Sequence, residues 1–287
     1  MIESHAFLAM FAVQILTMSV LLPLRCLKYA RAKAREFPAQ RFAQAYPGVD
    51  AGKVLERHVT RFGALNLGIA LLGLWPLIWF AGYTARPDWD DGPVEALVFA
   101  YFAVQAVPYL FVAIIGTKYS KLLKSLVGSR RSAVLERRGL FDFVSPVAVF
   151  LAVLLYFLLV AYVIYIAQNP FPGFAGPYIN IAMFTLGLAV IALVIYRLLY
   201  GKNLNPHESH ADRMFGIGVA VRLCVYASIV SPVGTATNFT LVLLDQQRWE
   251  PFAHSTFLVI SALLCFKAFT APPRRPEADA LGARPVA

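Results

Sequence analysis

Seven long apolar segments constrain the fold of this chain more than any other feature of its sequence. Most are close to the ~20 residues that cross a ~30 Å hydrocarbon core as a helix. Helices are expected because backbone groups in lipid must form their hydrogen bonds within the segment. The sequence therefore predicts an all-α integral membrane protein, a bundle of about seven transmembrane helices. The predicted spans are 6–24, 62–82, 96–116, 144–167, 179–199, 215–231 and 252–269.

Composition supports the membrane class and leaves little room for a soluble domain. Hydrophobic residues make up 59% of the 287 positions and charged residues only 15%, whereas about 25% of residues are charged in soluble domains. We therefore predict one transmembrane helical domain over residues 1–271. The segment 272–287 is predicted to be a disordered cytoplasmic tail, because its composition is poor in residues that form a core.

Positive charge is concentrated on one predicted side of the membrane. If the chain crosses the membrane at each predicted span, 23 of the 26 Lys and Arg lie in segments on the same side. Only Arg86 and Arg248 lie on the opposite side, and Arg222 is inside a span. Because Lys and Arg collect in cytoplasmic loops, we expect the N-terminus outside and the C-terminus inside, as for a bacterial inner membrane protein. The basic residues are then expected to face anionic lipid headgroups, as at Lys118, and nucleic acid is not expected as a partner.

The outer loop after the second span is acidic. The segment ARPDWDDGPVEA carries Asp88, Asp90, Asp91 and Glu95. Carboxylate oxygens suit calcium, but the spacing does not match the D-x-[DN]-x-[DN]-G calcium loop. With prolines and a glycine beside the acids, a solvated turn explains the stretch better.

Arg222 is the charge deepest within a predicted span. Small residues recur at four-residue spacing along this span and form a seam for helix packing: Gly216, Ala220, Cys224 and Ser228. At 100° per residue, Arg222 points away from that seam, toward lipid or toward a second, hydrated surface that Tyr226 shares. Two interpretations stay open, a structural polar contact and a contact with a substrate or anion.

The same span leads into the polar stretch SIVSPVGTATNFT. Its Ser231, Thr235 and Asn238, with Arg222 and Tyr226, form the candidate substrate-binding set. A broken helix lining a cavity has this composition, since irregular backbone in a membrane needs water or protein partners. The alternative, which we favour, is that the span ends at Ser231 and an outer loop follows over 232–251.

The segment NPHESHADRM precedes the sixth span and has the composition of a helix start. Asn205 is a suitable N-cap, followed by proline at the first helical position. A candidate metal site is the second interpretation, because His207 and His210 are three residues apart and could share a helix face. A third ligand would have to come from elsewhere, from His58 or Asp142 on the same predicted membrane side.

The sequence carries no motif for nucleotide binding, metalloprotease or serine hydrolase chemistry, and no cofactor is predicted. We expect a non-catalytic scaffold, sensor or accessory subunit with a membrane protein partner. The alternative is a small-solute or lipid transporter that uses Arg222 and residues 228–240. A second alternative is a membrane-embedded enzyme that acts on a lipid headgroup at the cytoplasmic face.

Overall fold

A computed structural model describes residues 2–36, 51–126, 139–171, 173–201 and 210–271. These parts of the chain are helical, and none of them forms a strand. The helices are α1 (Ile2–Leu16), α2 (Leu22–Glu36), α3 (Ala51–Leu72), α4 (Leu74–Tyr83), α5 (Asp91–Leu126), α6 (Pro146–Ile166), α7 (Pro177–Tyr200), α8 (His210–Leu243) and α9 (Glu250–Thr270). A π-helical turn (Thr17–Leu21) joins α1 to α2, and short 3₁₀ turns (Leu140–Asp142 and Gln247–Trp249) precede α6 and α9.

Seven helical segments in the described chain are long and apolar enough to cross a membrane, which confirms the predicted number. The first combines α1, the π-helical turn and the first part of α2, and the second combines most of α3 with α4. Their bounds are Ile2–Tyr29, Glu56–Tyr83, Asp91–Leu110, Pro146–Ile166, Pro177–Tyr200, Arg213–Leu243 and Gln247–Thr270.

The helix of the sixth predicted span does not end at Ser231. Helix α8 continues without interruption to Leu243, with Pro232 inside it, so most of the expected outer loop is helical and the helix is not broken. Polar residues are compatible with a helix here because their side chains can bond to its own backbone, as the Ser228 hydroxyl does in donating to the Cys224 carbonyl at 3.0 Å.

The chain divides into two compact units, each with its own core. The first comprises Met1–Arg131 and Thr237–Leu263, and the second comprises Ser132–Ala236 and Leu264–Ala287. The prediction of one transmembrane domain over 1–271 stays a prediction. The predicted tail, 272–287, lies outside the described residues, and so does the side chain of Lys118.

Aromatic side chains form the core of the first unit. The rings of Phe7 and Phe11 on α1 each pack edge-on against Phe80 of α4, with centroids 4.9 Å apart. Tyr101 of α5 packs against Phe11 and donates from its hydroxyl to the Ile69 carbonyl at 2.8 Å. These contacts hold α1, α3, α4 and α5 together at the end of the unit where α5 begins.

A buried polar network joins the first span to α5. Gln14 donates to the side-chain oxygen of Gln105 at 3.1 Å, and Gln105 donates to the Ser19 hydroxyl at 3.0 Å. Tyr109 donates to the Met18 carbonyl, in the π-helical turn, at 2.7 Å. A π turn shifts the backbone hydrogen-bond register, and here one of its carbonyls accepts from a neighbouring helix.

In the second unit, α6 begins where Ser145 accepts a hydrogen bond from the Ala148 backbone N–H at 3.1 Å, with proline at the next position. Phe143 and Val221 belong to its buried core. Helices α6 and α7 pack together, and the hydroxyls of Tyr156 and Thr185 lie 2.7 Å apart.

Candidate cation site and the sequence-predicted residues

Two pairs of ionisable residues face each other in the first unit. Asp91 and Glu95 lie on the first turns of α5, and Glu250 and His254 lie on the first turns of α9. Residues four apart share one face of a helix, so each helix presents two side chains to the other. Carboxylate oxygens of Asp91, Glu95 and Glu250 all lie within 4.8 Å of one another.

Burial makes this cluster different from a surface acidic patch. Glu250 is only 8% exposed, and the side chains of Glu95 and His254 are 23% and 22% exposed. Glu250 Oε1 is buried without a hydrogen-bond partner among the described residues, whereas Glu95 Oε1 and His254 Nδ1 form an ion pair at 3.1 Å. A buried polar atom without a partner costs about 1–3 kcal/mol, and more when it is charged. The cluster therefore has acceptor capacity that the described chain leaves unused.

The start of α5 is fixed by its apolar neighbours and by the loop before it. Val94 and Val98 are fully buried on the side of the helix next to the carboxylates, and Trp89 is 6% exposed. Arg248 donates to the Pro87 carbonyl at 2.8 Å and lies over the Trp89 ring, 5.7 Å from its centroid. This arginine connects the loop before α5 to the loop before α9.

The start of α9 is fixed by a tight reversal after α8. Asp245 adopts the left-handed conformation with φ of 56°, and the 3₁₀ turn that follows leads directly into Glu250. Pro251 is buried, and the His254 ring packs against Phe99 with centroids 5.0 Å apart. Phe99 is one turn beyond Glu95 on α5, so the imidazole lies along the same helix face as that carboxylate.

Electrostatics of the cluster favour a bound positive charge. Asp91 and Glu250 are the first residues of their helices, where the partial positive charge of the helix N-terminus stabilises a carboxylate by about 0.3–1 kcal/mol. Two carboxylates separated by 4.8 Å repel by about 3.5 kcal/mol at an effective dielectric constant of 20. The repulsion exceeds the dipole contribution, so the three acids need a cation or a proton between them.

Arg222 makes structural contacts in the second unit. Its side chain is buried; Nε donates to the Gly218 carbonyl one turn earlier at 2.9 Å, and Nη1 donates to the Ala271 carbonyl at 3.1 Å. Ala271 directly follows α9, so the guanidinium satisfies a carbonyl at that helix end. A Cβ at position 218 would lie 3.1 Å from both the arginine Nη2 and Phe143, so glycine gives the guanidinium its space.

The other proposed substrate-binding residues all lie on α8. Tyr226, one turn beyond Arg222, is half-buried, Ser231 is exposed and Thr235 is half-buried. The Asn238 Oδ1 is buried without a hydrogen-bond partner in the described chain. A substrate role for this set stays a prediction.

The predicted histidine metal site stays a prediction as well. His207 lies outside the described residues, and His210 is the first residue of α8 with its side chain outside the described set. The suggested third ligands belong to different units, His58 to the first and Asp142 to the second. Asp142 accepts a hydrogen bond from the Gly139 backbone N–H at 2.8 Å.

The acidic stretch, predicted to be one solvated turn, is a turn only in its first part. Asp88 and Asp90 are exposed, and Asp90 accepts from the Gly92 N–H at 3.2 Å as in a solvated turn. Asp91 and Glu95 instead belong to the helix, and Glu250 and His254 were missed. The sequence does contain a D-x-x-x-E pair and an E-x-x-x-H pair, each at the start of a predicted span and on the same predicted side of the membrane. These pairs could have indicated the cluster.

Comparison of the chain with family models, curated proteins and solved structures finds no significant match.

Proposed function

We propose that this chain is a non-catalytic integral membrane protein that binds a divalent cation at its outer boundary and serves as a cation sensor. The observation that carries the proposal is the Glu250 carboxylate, whose buried Oε1 has no hydrogen-bond partner in the described chain and lies among the carboxylates of Asp91 and Glu95. Buried charges in proteins are paired or coordinate metals, and a divalent ion would satisfy all three acids at once.

The charge pattern supports a location of this site on the outer side of the membrane. The basic segments predict that the N-terminus of α5 and the N-terminus of α9 both face the exterior. Seven of the 16 acidic residues lie on that side, beside only two basic residues, Arg86 and Arg248. An exterior of this sign attracts cations to the cluster.

The geometry also supports a sensor rather than a carrier. A cation held by these three carboxylates would connect the start of α5 to the start of α9, whereas without it the carboxylates repel each other across the two helix ends. The loops before both helices are already joined through Arg248 and the Pro87 carbonyl. Occupancy of the site would therefore change the stability of the whole loop region, which is a signal that a membrane partner can read.

The carrier and enzyme hypotheses have less support. The carrier hypothesis depends on Arg222 and residues 228–240, and the Arg222 guanidinium already donates to two backbone carbonyls. The enzyme hypothesis depends on cytoplasmic polar residues that include His207 and His210, whose side chains lie outside the described residues. Neither hypothesis uses the unpartnered Glu250 oxygen.

Equilibrium dialysis of the purified full-length protein in detergent tests the proposal. Wild-type protein should bind about one divalent cation per chain, and Glu250→Gln should weaken that binding at least tenfold because the amide removes one anionic ligand without changing the side-chain shape. Asp88→Asn is the matched control, since this acid is exposed in the adjacent loop. Absence of binding to wild type, or equal losses in the two variants, would contradict the proposal.

A further inference from the structure

The ligand atoms that meet at the α5–α9 cluster are carboxylate oxygens. Asp91, Glu95 and Glu250 each offer one, and these three atoms lie within 4.8 Å of one another. Glu250 is only 8% exposed, and its Oε1 is buried without a hydrogen-bond partner in the described chain. Calcium and magnesium take oxygen ligands, whereas zinc and the other first-row transition metals are suited to imidazole or thiolate. The donor set therefore favours a hard cation.

His254 lies beside the cluster as a charge partner of Glu95. Its Nδ1 forms an ion pair with Glu95 Oε1 at 3.1 Å, and its ring packs against Phe99. Both ring nitrogens of a protonated histidine carry hydrogen, so the imidazole of this ion pair cannot serve as a metal ligand. An ionised carboxylate has about four lone-pair sites on its two oxygens. Glu95 can therefore pair with His254 and bind a cation at the same time.

The charges of these four side chains favour a divalent ion. Three ionised carboxylates carry three negative charges, and the protonated imidazole offsets one of them, which leaves two. A divalent cation brings the sum to zero, whereas a monovalent ion would leave one negative charge and a trivalent ion one positive charge. Neutrality matters here because an uncompensated charge is costly away from water, and the side chains of Glu95 and His254 are only 23% and 22% exposed.

Coordination geometry then favours calcium over magnesium. Calcium binds oxygen at about 2.3–2.6 Å, so two of its ligand atoms can lie about 5 Å apart, whereas magnesium at about 2.0–2.1 Å limits them to about 4.2 Å. The three oxygens, within 4.8 Å of one another, meet the calcium limit without any movement. Magnesium also retains several waters in near-ideal octahedral geometry, and the burial of Glu250 leaves little space for them.

We propose that Asp91, Glu95 and Glu250 bind Ca²⁺ through oxygen ligands alone, with protonated His254 as a charge partner of Glu95 and not as a ligand. The inference rests on the proposed cation binding and adds the class of the ion. The ligands come from the first turns of two helices. The site therefore differs from a single-loop calcium motif, which the acidic segment 85–96 does not match.

Titration of the full-length protein in detergent with Ca²⁺, Mg²⁺ and Zn²⁺ in turn tests the inference. Ca²⁺ should bind at least tenfold more tightly than either other ion. Zn²⁺ is also titrated into a variant with His207 and His210 both replaced by alanine, so that binding at the sequence-predicted histidine site is not counted. Asp88→Asn is the matched control, because this acid is exposed, and it should leave Ca²⁺ affinity within twofold of wild type.

His254→Gln distinguishes a charge partner from a ligand. Ca²⁺ should remain the preferred ion of this variant, and Zn²⁺ affinity should change less than threefold, because no metal ligand is lost. His254→Asn repeats the test if the glutamine variant does not fold. Binding of Mg²⁺ or Zn²⁺ as tight as that of Ca²⁺, or a tenfold loss of Zn²⁺ affinity in His254→Gln, would overturn the inference and leave cation binding intact. Failure of all three ions to bind wild type would overturn both proposals.

Discussion

Replacement of Glu250 by glutamine should affect stability in opposite directions in the absence and presence of the bound cation. Without a cation, and at a pH where Glu250 is ionised, the glutamate adds a negative charge to a pair of carboxylates and destabilises the fold. With a cation, the same glutamate supplies a ligand. The substitution keeps the shape of the side chain, so the packing around the buried residue is nearly unchanged.

The magnitude follows from the spacing of the cluster. Each of the two neighbouring carboxylates lies within 4.8 Å and repels Glu250 by about 3.5 kcal/mol at an effective dielectric constant of 20. Solvent reaches Asp91 and Glu95, so we discount the combined repulsion to about 2 kcal/mol. The variant also loses about 0.5–1 kcal/mol of interaction between a carboxylate and the N-terminus of α9. Removal of the charge should therefore stabilise the cation-free protein by about 1 kcal/mol, or about 2–4 °C in melting temperature.

Cation binding should reverse this order. At a free cation concentration of 100 times the dissociation constant, the wild type gains about 2.7 kcal/mol of stability. Glu250→Gln loses a ligand and gains much less. If the substitution weakens binding tenfold, the variant gains about 1.4 kcal/mol at the same concentration and the wild type exceeds it by only about 0.3 kcal/mol. A hundredfold loss of affinity raises that difference to about 1.3 kcal/mol, although the wild type is the less stable protein in a chelator.

Thermal unfolding of full-length protein in detergent, followed by tryptophan fluorescence, measures both states in paired samples with chelator and with the preferred divalent ion. Asp88→Asn, an exposed acid of the neighbouring loop, should melt within 1 °C of wild type in both samples because surface substitutions change stability little. The reasoning is refuted if Glu250→Gln melts below wild type in chelator. It is refuted equally if cations leave the wild-type melting temperature unchanged.

Two further substitutions test the packing of each unit. Arg222→Met leaves two backbone carbonyls without their guanidinium donor and should lower the free energy of unfolding by about 2–4 kcal/mol. The loss is measured as the decrease of folded protein in size-exclusion chromatography after heating. A variant that folds as wild type yet loses solute flux in vesicles would instead support the carrier hypothesis. Gly73→Ala introduces a methyl group that overlaps the Tyr101 hydroxyl and should lower the free energy of unfolding by about 1–3 kcal/mol. The control is Gly68→Ala, which has nothing within 4 Å of the added carbon and should have almost no effect or stabilise its helix slightly. Equal melting temperatures for the two variants would show that the tyrosine moves aside without cost.

The seven apolar helices could be predicted because lipid-compatible length and composition are local properties of a sequence. The end of the sixth helix could not, since Pro232 and the hydroxyl residues around it resemble a loop when only polarity is considered. Within the helix, a hydroxyl such as that of Ser228 bonds to the backbone four residues earlier. Proline forfeits one backbone hydrogen bond, and the helix continues because neighbouring turns are retained on both sides.

The candidate site depends on information that a single sequence contains only in part. The i, i+4 spacing of Asp91 with Glu95, and of Glu250 with His254, places each pair on one helix face. The meeting of those two faces joins residues more than 150 positions apart, and it follows from how α5 and α9 pack. Arg222 illustrates the same limit, since the Ala271 carbonyl that accepts from it is 49 positions away.

A charged residue inside a span is therefore a weaker indication of a binding site than a buried polar atom that has no hydrogen-bond partner. Arg222 is the deepest charge in the sequence, yet its guanidinium donates to backbone carbonyls at 2.9 and 3.1 Å and fixes the end of a helix. Glu250 stands at a helix start, where an acid is ordinary, but it is buried with an oxygen that no described donor reaches. A ligand can add binding energy only where such capacity remains, and for this reason we propose a cation at the α5–α9 cluster rather than a ligand at the arginine.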